Sequence, residues 1–586
     1  MLKLYLPFKL RSQTLSSATF IDDRLIENKM YNDVVARGKR VVRGVEQSRN
    51  VLRAGVGVRS GLARKARMIL DSLIQTGIEG LDSIFLGGIP SMNTILVQGV
   101  AGSGKTLLGT EIIYRGITQF NQAGMIVTFE TSTEKLIRDA AALGWNLQEL
   151  QDQKKLQMIF STPAVLDEEV RSTDSLLFES ARTMGAKRIF IDSIGLLNRL
   201  NREDQEGPAI RGKSYRELLQ QLIMGLHREG LFTILAHEMN AGGDEPETLA
   251  AATFTADTVI QLTRIREDRR IRRGIEIIKS RGQDFDAGEH TLHIVANEGL
   301  KVFRRVQAPL RRDMAQPSSL AKRSLIGIES LDALMGGGLF DGSTTMVVGI
   351  SGAGKSVLST QILLEGADKQ GTRGLLVSLD EHPAQIIRNA QTLGLNLAAT
   401  IDSGLVTILF ESPQELDIDS HFARIVRTIE EQKIQRLVID GMTSYSTNAG
   451  SKLLYRDFFH ALVAYSKFHL LTTFFNYENP EFLGLSSYMP DFPVSSVVDN
   501  LILLNLAEFG PMLRRFLTVV KSRGSNHESD SREYVIGPGG FTIRPREENM
   551  EASLPASRYS SILSRAPTRL RMAQTEEFQP STRRPQ

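Results

Sequence analysis

Along the chain, short runs that are apolar throughout alternate with stretches whose apolar positions recur every three or four residues. In the first half the runs are NTILVQGV (Asn93–Val100), MIVTFE (Met125–Glu130), RIFIDSI (Arg188–Ile194), FTILAHE (Phe232–Glu238) and TVIQL (Thr258–Leu262). Between them lie segments such as Ser132–Trp145 and Tyr215–Gly230 with helical spacing. Uniformly apolar strands separated by helices predict a mainly parallel sheet covered on both faces. The second half repeats the order with TMVVGI, LLVSLD, RLVIDG, LLTTFF and NLILLNL. RRGIEIIKSRG and the following HTLHIVANEGLKVF predict antiparallel strands at one edge of the first sheet.

The two halves match in detail. Thr76–Pro90 returns as Ile326–Phe340, Gly99–Thr106 as Gly349–Ser356, and Ile126–Thr131 as Leu376–Glu381, each 250 positions later. Arg188–Ser193 returns as Arg436–Gly441, and KSRG recurs at Lys279–Gly282 and Lys521–Gly524. A period this long is a duplicated domain, not a solenoid. The expected organisation is a basic extension over residues 1–72, a first α/β domain over 73–306, a polar linker over 307–324, a second α/β domain over 325–545, and an unstructured tail over 546–586.

Composition narrows the chemistry. The chain has 586 residues, 23% of them charged, and no cysteine, which excludes disulfide scaffolds, thiolate metal sites and cysteine nucleophiles. No apolar run is long enough to cross a bilayer. Lys3 and Lys9 interrupt the opening apolar stretch, so no secretory signal is read and a cytoplasmic location is expected. Residues 1–70 hold 15 Lys+Arg against 5 Asp+Glu, a net of +10, so the net charge of +3 leaves −7 for the remainder. A mildly acidic body gives no electrostatic footprint for nucleic acid.

Gly99–Thr106 and Gly349–Ser356 both read G-x-x-x-x-G-K-[ST], directly after an expected strand and opening an expected helix. That context makes each a phosphate-binding loop: backbone N–H groups around Gly102, Ser103, Gly104 and Leu107, or Gly352, Ala353, Gly354 and Val357, face an anion at a helix N-terminus. Lys105 and Lys355 are placed to neutralise terminal phosphates, and Thr106 and Ser356 to offer a hydroxyl to Mg²⁺. Asp192 and Asp440 end apolar strands some 85 residues later, where an acid can hold the metal shell or cap a helix. Glu130 and the pair Asp380–Glu381 follow the intervening strand, Glu130 and Asp380 each 25 residues after the loop lysine, placed for general-base work at the strand ends or again for capping.

Together, the G-[IF]-x-x-[LF]-D-x-[IL]-x-x-G-G lead-in, the two loops and the closing K-x-R-G resemble the KaiC-like ATPases of the RecA superfamily over Leu73 to about Pro545. The resemblance implies ATP and Mg²⁺ as cofactors and an ATP-dependent homohexamer of two stacked rings, the first serving assembly and the second autophosphorylation. It implies that Lys279 and Arg281, and Lys521 and Arg523, reach a neighbour's triphosphate. His527 matches a family nucleotide contact that Phe285 replaces in the first domain. It places Ser495 and Ser496 at the autophosphorylation positions, and it implies clock-type or signalling partners such as a KaiB-like protein or a histidine kinase. The first domain departs from the family's paired glutamates, with Thr131 after Glu130. Two alternatives stay open: a RecA-type recombinase or helicase, and a scaffold that binds ATP only to assemble.

Overall fold

The computed structural model describes residues 73–172, 174–201, 214–239, 246–267, 270–307, 322–478, 494–509 and 511–545. The expected extension, the tail and most of the linker lie outside the described residues. The chain divides into two compact units between Arg305 and Val306.

Each unit is built on a nine-stranded sheet. In the first, the order is Leu156–Phe160, Gly124–Thr128, Arg188–Asp192, Phe232–Glu238, Ile95–Gly99, Thr258–Glu267, Arg270–Ser280, Glu289–Val295, Gly299–Phe303. The first six are parallel and the last three join antiparallel, as the sequence pattern predicts. The second unit has the equivalent order, from Val406–Phe410 through the loop strand Thr344–Gly349 to the edge strand Gly540–Ile543. The parallel edge strands Leu156–Phe160 and Val406–Phe410 are additions to the sequence reading. Both are half-exposed pentapeptides at the parallel edge of their sheets.

Burial explains the run composition. Ile95, Leu96, Val97, Ile189, Phe190 and Ile191 are all fully buried, because helices cover both faces of the sheet. The helices start on local signals: Ser132 accepts from the Lys135 N–H, and Ser214 and Glu217 form a reciprocal capping box. Arg323 and Ser324, at the end of the expected linker, pair with Leu339–Phe340 as a small hairpin of the second unit.

The lead-in motif has a structural use. Asp82 accepts from Thr76 N (2.7 Å), Thr76 Oγ1 (2.8 Å) and Gly77 N (3.0 Å), and Asp332 accepts likewise from Ile326 N (2.7 Å) and Gly327 N (3.1 Å). The buried Arg188 guanidinium ties this segment to the sheet, donating to Gln75 O (2.8 Å), Ile112 O (3.0 Å) and Gln122 Oε1 (2.8 Å). Arg436 makes the same ties in the second unit, to Leu325 O and Ile362 O at 2.8 Å. Burial pulls the Arg188 pKa down to about 10, with the charge of Asp82 opposing it.

Packing between the helix after the loop (Lys105–Phe120) and the sheet is tight. A Cβ on Gly109 would sit 2.2 Å from the ring of Phe190. Gly109→Ala therefore forces the helix off the sheet and is expected to cost about 1–3 kcal/mol. The check is a drop in the denaturant midpoint of the first unit, with the second unit's transition unmoved.

Candidate functional site

Each phosphate loop joins the central strand to a helix that opens at the lysine. Gly104 and Gly354 are the residues before these helices, at φ 109° and 96°, a left-handed backbone that favours glycine. At Gly354 a Cβ would also meet Ile536 Cδ1 at 2.3 Å. Ser103 and Ala353 are buried beneath the loops, while Gly102 and Gly352 are exposed at the tips. Leu107 and Val357, in the first helical turns, pack against their units' cores.

The Lys105 ammonium donates to Gly99 O (2.9 Å) and Val100 O (3.0 Å), and Lys355 to Gly349 O (2.8 Å) and Ile350 O (2.9 Å). Burial lowers the pKa of both lysines, and three strand-end carboxylates oppose it: Glu238, Asp192 and Glu130 around Lys105, and Glu478, Asp440 and Asp380 around Lys355. The sheet thus brings the two loops and all the sequence-predicted acids together, in the same arrangement twice. Glu238 and Glu478 are additions, and Glu238 Oε2 lies 3.9 Å from Lys105 Nζ. The signal was present in the sequence: each ends an apolar run, as Asp192 and Asp440 do.

The metal question turns on donor chemistry. Thr106 Oγ1 donates to Asp192 Oδ2 at 2.6 Å, and Ser356 bonds Asp440 in the same way. Burial raises both aspartates, the hydroxyls opposing it. Hydroxyl and carboxylate oxygens suit Mg²⁺. Among the described residues no group of three acids or histidines could hold a metal alone. A cation here would need phosphate oxygens to complete its shell, as Mg²⁺ sites commonly do.

In the second unit these groups line a cavity of about 380 Å³. Lys355, Ser356, Asp380, Glu381, Asp440 and Glu478 form its polar side, and Ile386, Leu393, Leu395 and Ile536 an apolar wall. Glu381 Oε2 accepts from Asn389 Nδ2 (3.4 Å), and Asp380 accepts from Ser444 Oγ. In the first unit Glu130 is exposed and Thr131 takes the place of Glu381.

The K-x-R-G residues lie elsewhere. Lys279 pairs with Val259, which pairs with Leu96, and Thr258 pairs with both Ile95 and Ser280. That is the amino end of the central strand, while the phosphate loop leaves its carboxyl end at Gly99. Four residues of strand separate the two by about 13 Å. Lys279 Nζ donates to Thr253 O (2.7 Å), and Arg281 to Phe254 O (3.1 Å) with Asp257 Oδ1 at 3.3 Å. Lys521 and Arg523 sit equivalently, on Val498 O (2.7 Å) and Ser496 O (2.6 Å). The helical turn Val494–Val497 carries Ser495 and Ser496 to this same far end; Ser496 is exposed, and the side chain of Ser495 lies outside the described residues. His527 is half-exposed just past the motif, and Phe285 packs against the first unit's core.

A strand, phosphate loop and helix, with acids from three neighbouring strand ends, define a P-loop nucleoside-triphosphatase domain of the RecA type, here in two copies. The family model for the KaiC ATPase matches residues 74–307 and 325–548. The chain belongs to the KaiC ATPase family. It is 32% identical over 512 residues to the circadian clock oscillator protein KaiC of Picosynechococcus sp., covering 86% of this chain and 94% of that protein. It is 32% identical to the KaiC of Thermostichus vulcanus (86% and 93% covered) and 31% identical to circadian clock oscillator protein KaiC 1 of Synechocystis sp. (86% and 93%). Among the described residues no helix is long and apolar enough to cross a membrane.

Burial first, then the charges of Asp440 and Asp380, raise the Glu381 carboxyl above the ordinary glutamate range, with Asn389 opposing. Its proton therefore leaves at higher pH than that of a free glutamate. Turnover that needs ionised Glu381 is expected to fall on its acid limb above the ordinary glutamate range. Asp380→Asn removes one negative neighbour and is expected to move that limb to lower pH. The midpoint of the pH profile of kcat/KM for ATP, not its height, is the check.

Proposed function

We propose that this chain is a magnesium-dependent ATPase and Ser/Thr autokinase that works as an ATP-assembled homohexamer. The observation that carries the reading is the division of each site between two ends of one sheet. Lys105 or Lys355 waits at the carboxyl end, while Lys279 and Arg281, or Lys521 and Arg523, wait at the amino end, about 13 Å away. A chain cannot bring its own pair to its own loop, so the pair serves the neighbour's triphosphate. A head-to-tail contact of this kind closes into a ring when the rotation per subunit permits.

In each site the loop N–H groups and the lysine hold the phosphates at the helix N-terminus, and Asp192 or Asp440 with Thr106 or Ser356 would hold a divalent cation. Such a cation would supply neutralising charge to the phosphates. In the first site Glu130 orients a water for hydrolysis. In the second, Glu381 takes the proton from the hydroxyl of Ser495 or Ser496 of the neighbouring chain. As the serine Oγ–Pγ bond forms, the bond from Pγ to the bridging oxygen breaks, and ADP leaves. Reversal returns the phosphoryl group to ADP. Each phosphoserine adds about −1.5 to −2 charge beside Arg523, which alters the ring contact and reports the state to clock-type or signalling partners.

The reading favours protein over nucleic acid as partner, because the body outside the first 70 residues is net acidic. A gel shift with single-stranded DNA separates the recombinase alternative, which requires tight binding at physiological salt.

Native mass spectrometry with Mg-ATP is expected to give a hexamer. Lys105→Ala is expected to impair assembly, and Lys355→Ala to leave hexamers without phosphotransfer. Monomers and dimers alone, or equal loss of assembly in both variants, count against the reading. Peptide mapping after incubation with Mg-ATP is expected to find phosphate on Ser495 or Ser496, lost in Glu381→Gln while nucleotide still binds. If neither serine is modified, the chain is an ATPase of the family without autokinase activity.

A further inference from the structure

The two candidate sites differ by a set of three substitutions that compensate one another sterically. In the first unit, Phe190 fills the space under the Lys105–Phe120 helix, and Gly109 makes room for it. Ala236, whose strand partner is Val97, adds no polar group. In the second unit the same three places hold Val438, Ser359 and Asn476, the last paired with Val347. The smaller Val438 leaves space for two polar side chains, each only 1% exposed.

Those side chains form a directed network. Asn476 Nδ2 donates to Asp440 Oδ1 at 3.0 Å. Ser359 Oγ lies 2.8 Å from Asn476 Nδ2 and 3.1 Å from Asn476 Oδ1. An ionised carboxylate only accepts, so the nitrogen of the amide must face Asp440. Ser359 Oγ accepts from the amide nitrogen and can donate to the amide oxygen, so it holds the amide in place beside Asp440. Asp440 is therefore held by two donors, Asn476 and Ser356. Among the described residues Asp192 is bonded by the Thr106 hydroxyl, and Ala236 has no polar group to add.

We propose that Asn476, backed by Ser359, is a positioning residue that aims Asp440 at the divalent cation of the second site, and that its replacement by Ala236 leaves the first site with the weaker hold on that cation. The proposal rests on the reading of both loops as magnesium–nucleotide sites. With the amide on Oδ1 of Asp440, the carboxylate is held in one orientation, leaving its other oxygen for the cation. Groups that orient a metal ligand in this way typically change metal affinity by about 10–100-fold when removed.

The test uses the full chain with a non-hydrolysable ATP analogue and manganese as the probe, free manganese being read by electron paramagnetic resonance. The unaltered chain is expected to show two classes of nucleotide-dependent site. Asn476→Ala is expected to weaken the tighter class about tenfold. The combined Ser359→Gly, Val438→Phe and Asn476→Ala variant, which copies packing the first unit already uses, is expected to do the same. The converse set, Gly109→Ser, Phe190→Val and Ala236→Asn, is expected to tighten the weaker class. Binding of the analogue in excess chelator is expected to stay unchanged throughout, which a general loss of structure would not allow. If both classes stay where they are in the Asn476→Ala and triple variants, the proposal is overturned. If the unaltered chain binds no manganese with nucleotide, the functional reading falls first and this proposal with it.

Discussion

A desolvated lysine ammonium at the mouth of each phosphate loop is the interaction on which the rest of the structure depends. Taking a charge out of water is costly unless its donors are matched, and here two loop carbonyls match them at 2.8–3.0 Å. The remaining electrostatic support comes from carboxylates on three separate strands. That arrangement exists only if those strands lie side by side with their carboxyl ends level. The parallel register provides this, with Thr128 opposite Asp192 and Gly99 opposite Glu238. Helices packed on both faces hold such a register, since a slip by one residue would exchange the side chains fitted to the two faces.

The same register sets where the K-x-R-G cations lie. Antiparallel return of Arg270–Ser280 carries the K-x-R-G cations back along the strand, away from the loop they resemble partners for. Backbone carbonyls of Thr253, Phe254, Val498 and Ser496 hold them meanwhile. The direction of one strand, rather than any local feature of the motif, thus decides where these cations sit.

Duplication supplied two copies of this scaffold, and small changes inside it set them apart. Thr131 in place of Glu381 leaves the first site without that carboxylate. Phe190 in place of Val438 decides whether polar side chains fit beneath the loop helix. Neither change disturbs the sheet, because volume lost at one position is recovered at another.

Much of this was legible in the sequence, and the reasons are physical. A loop that cradles phosphates needs glycines at fixed spacing from a lysine and hydroxyl, so Gly99–Thr106 and Gly349–Ser356 announce themselves. Buried parallel strands need unbroken apolar runs, so the interior strands and their terminal acids were readable, and the repeat fixed the two-unit plan. The edge strands Leu156–Phe160 and Val406–Phe410 are short pentapeptides, and only the assembled sheet shows that they pair at its edge. Nothing in the sequence showed that Asp82 and Asp332 brace a turn. Nor could it show that Asn476, 36 residues from Asp440, bonds it through space that Val438 leaves open. Spacing along a chain encodes what a local loop can do. Which distant side chains share one buried volume is decided only when the sheet and its helices close around it.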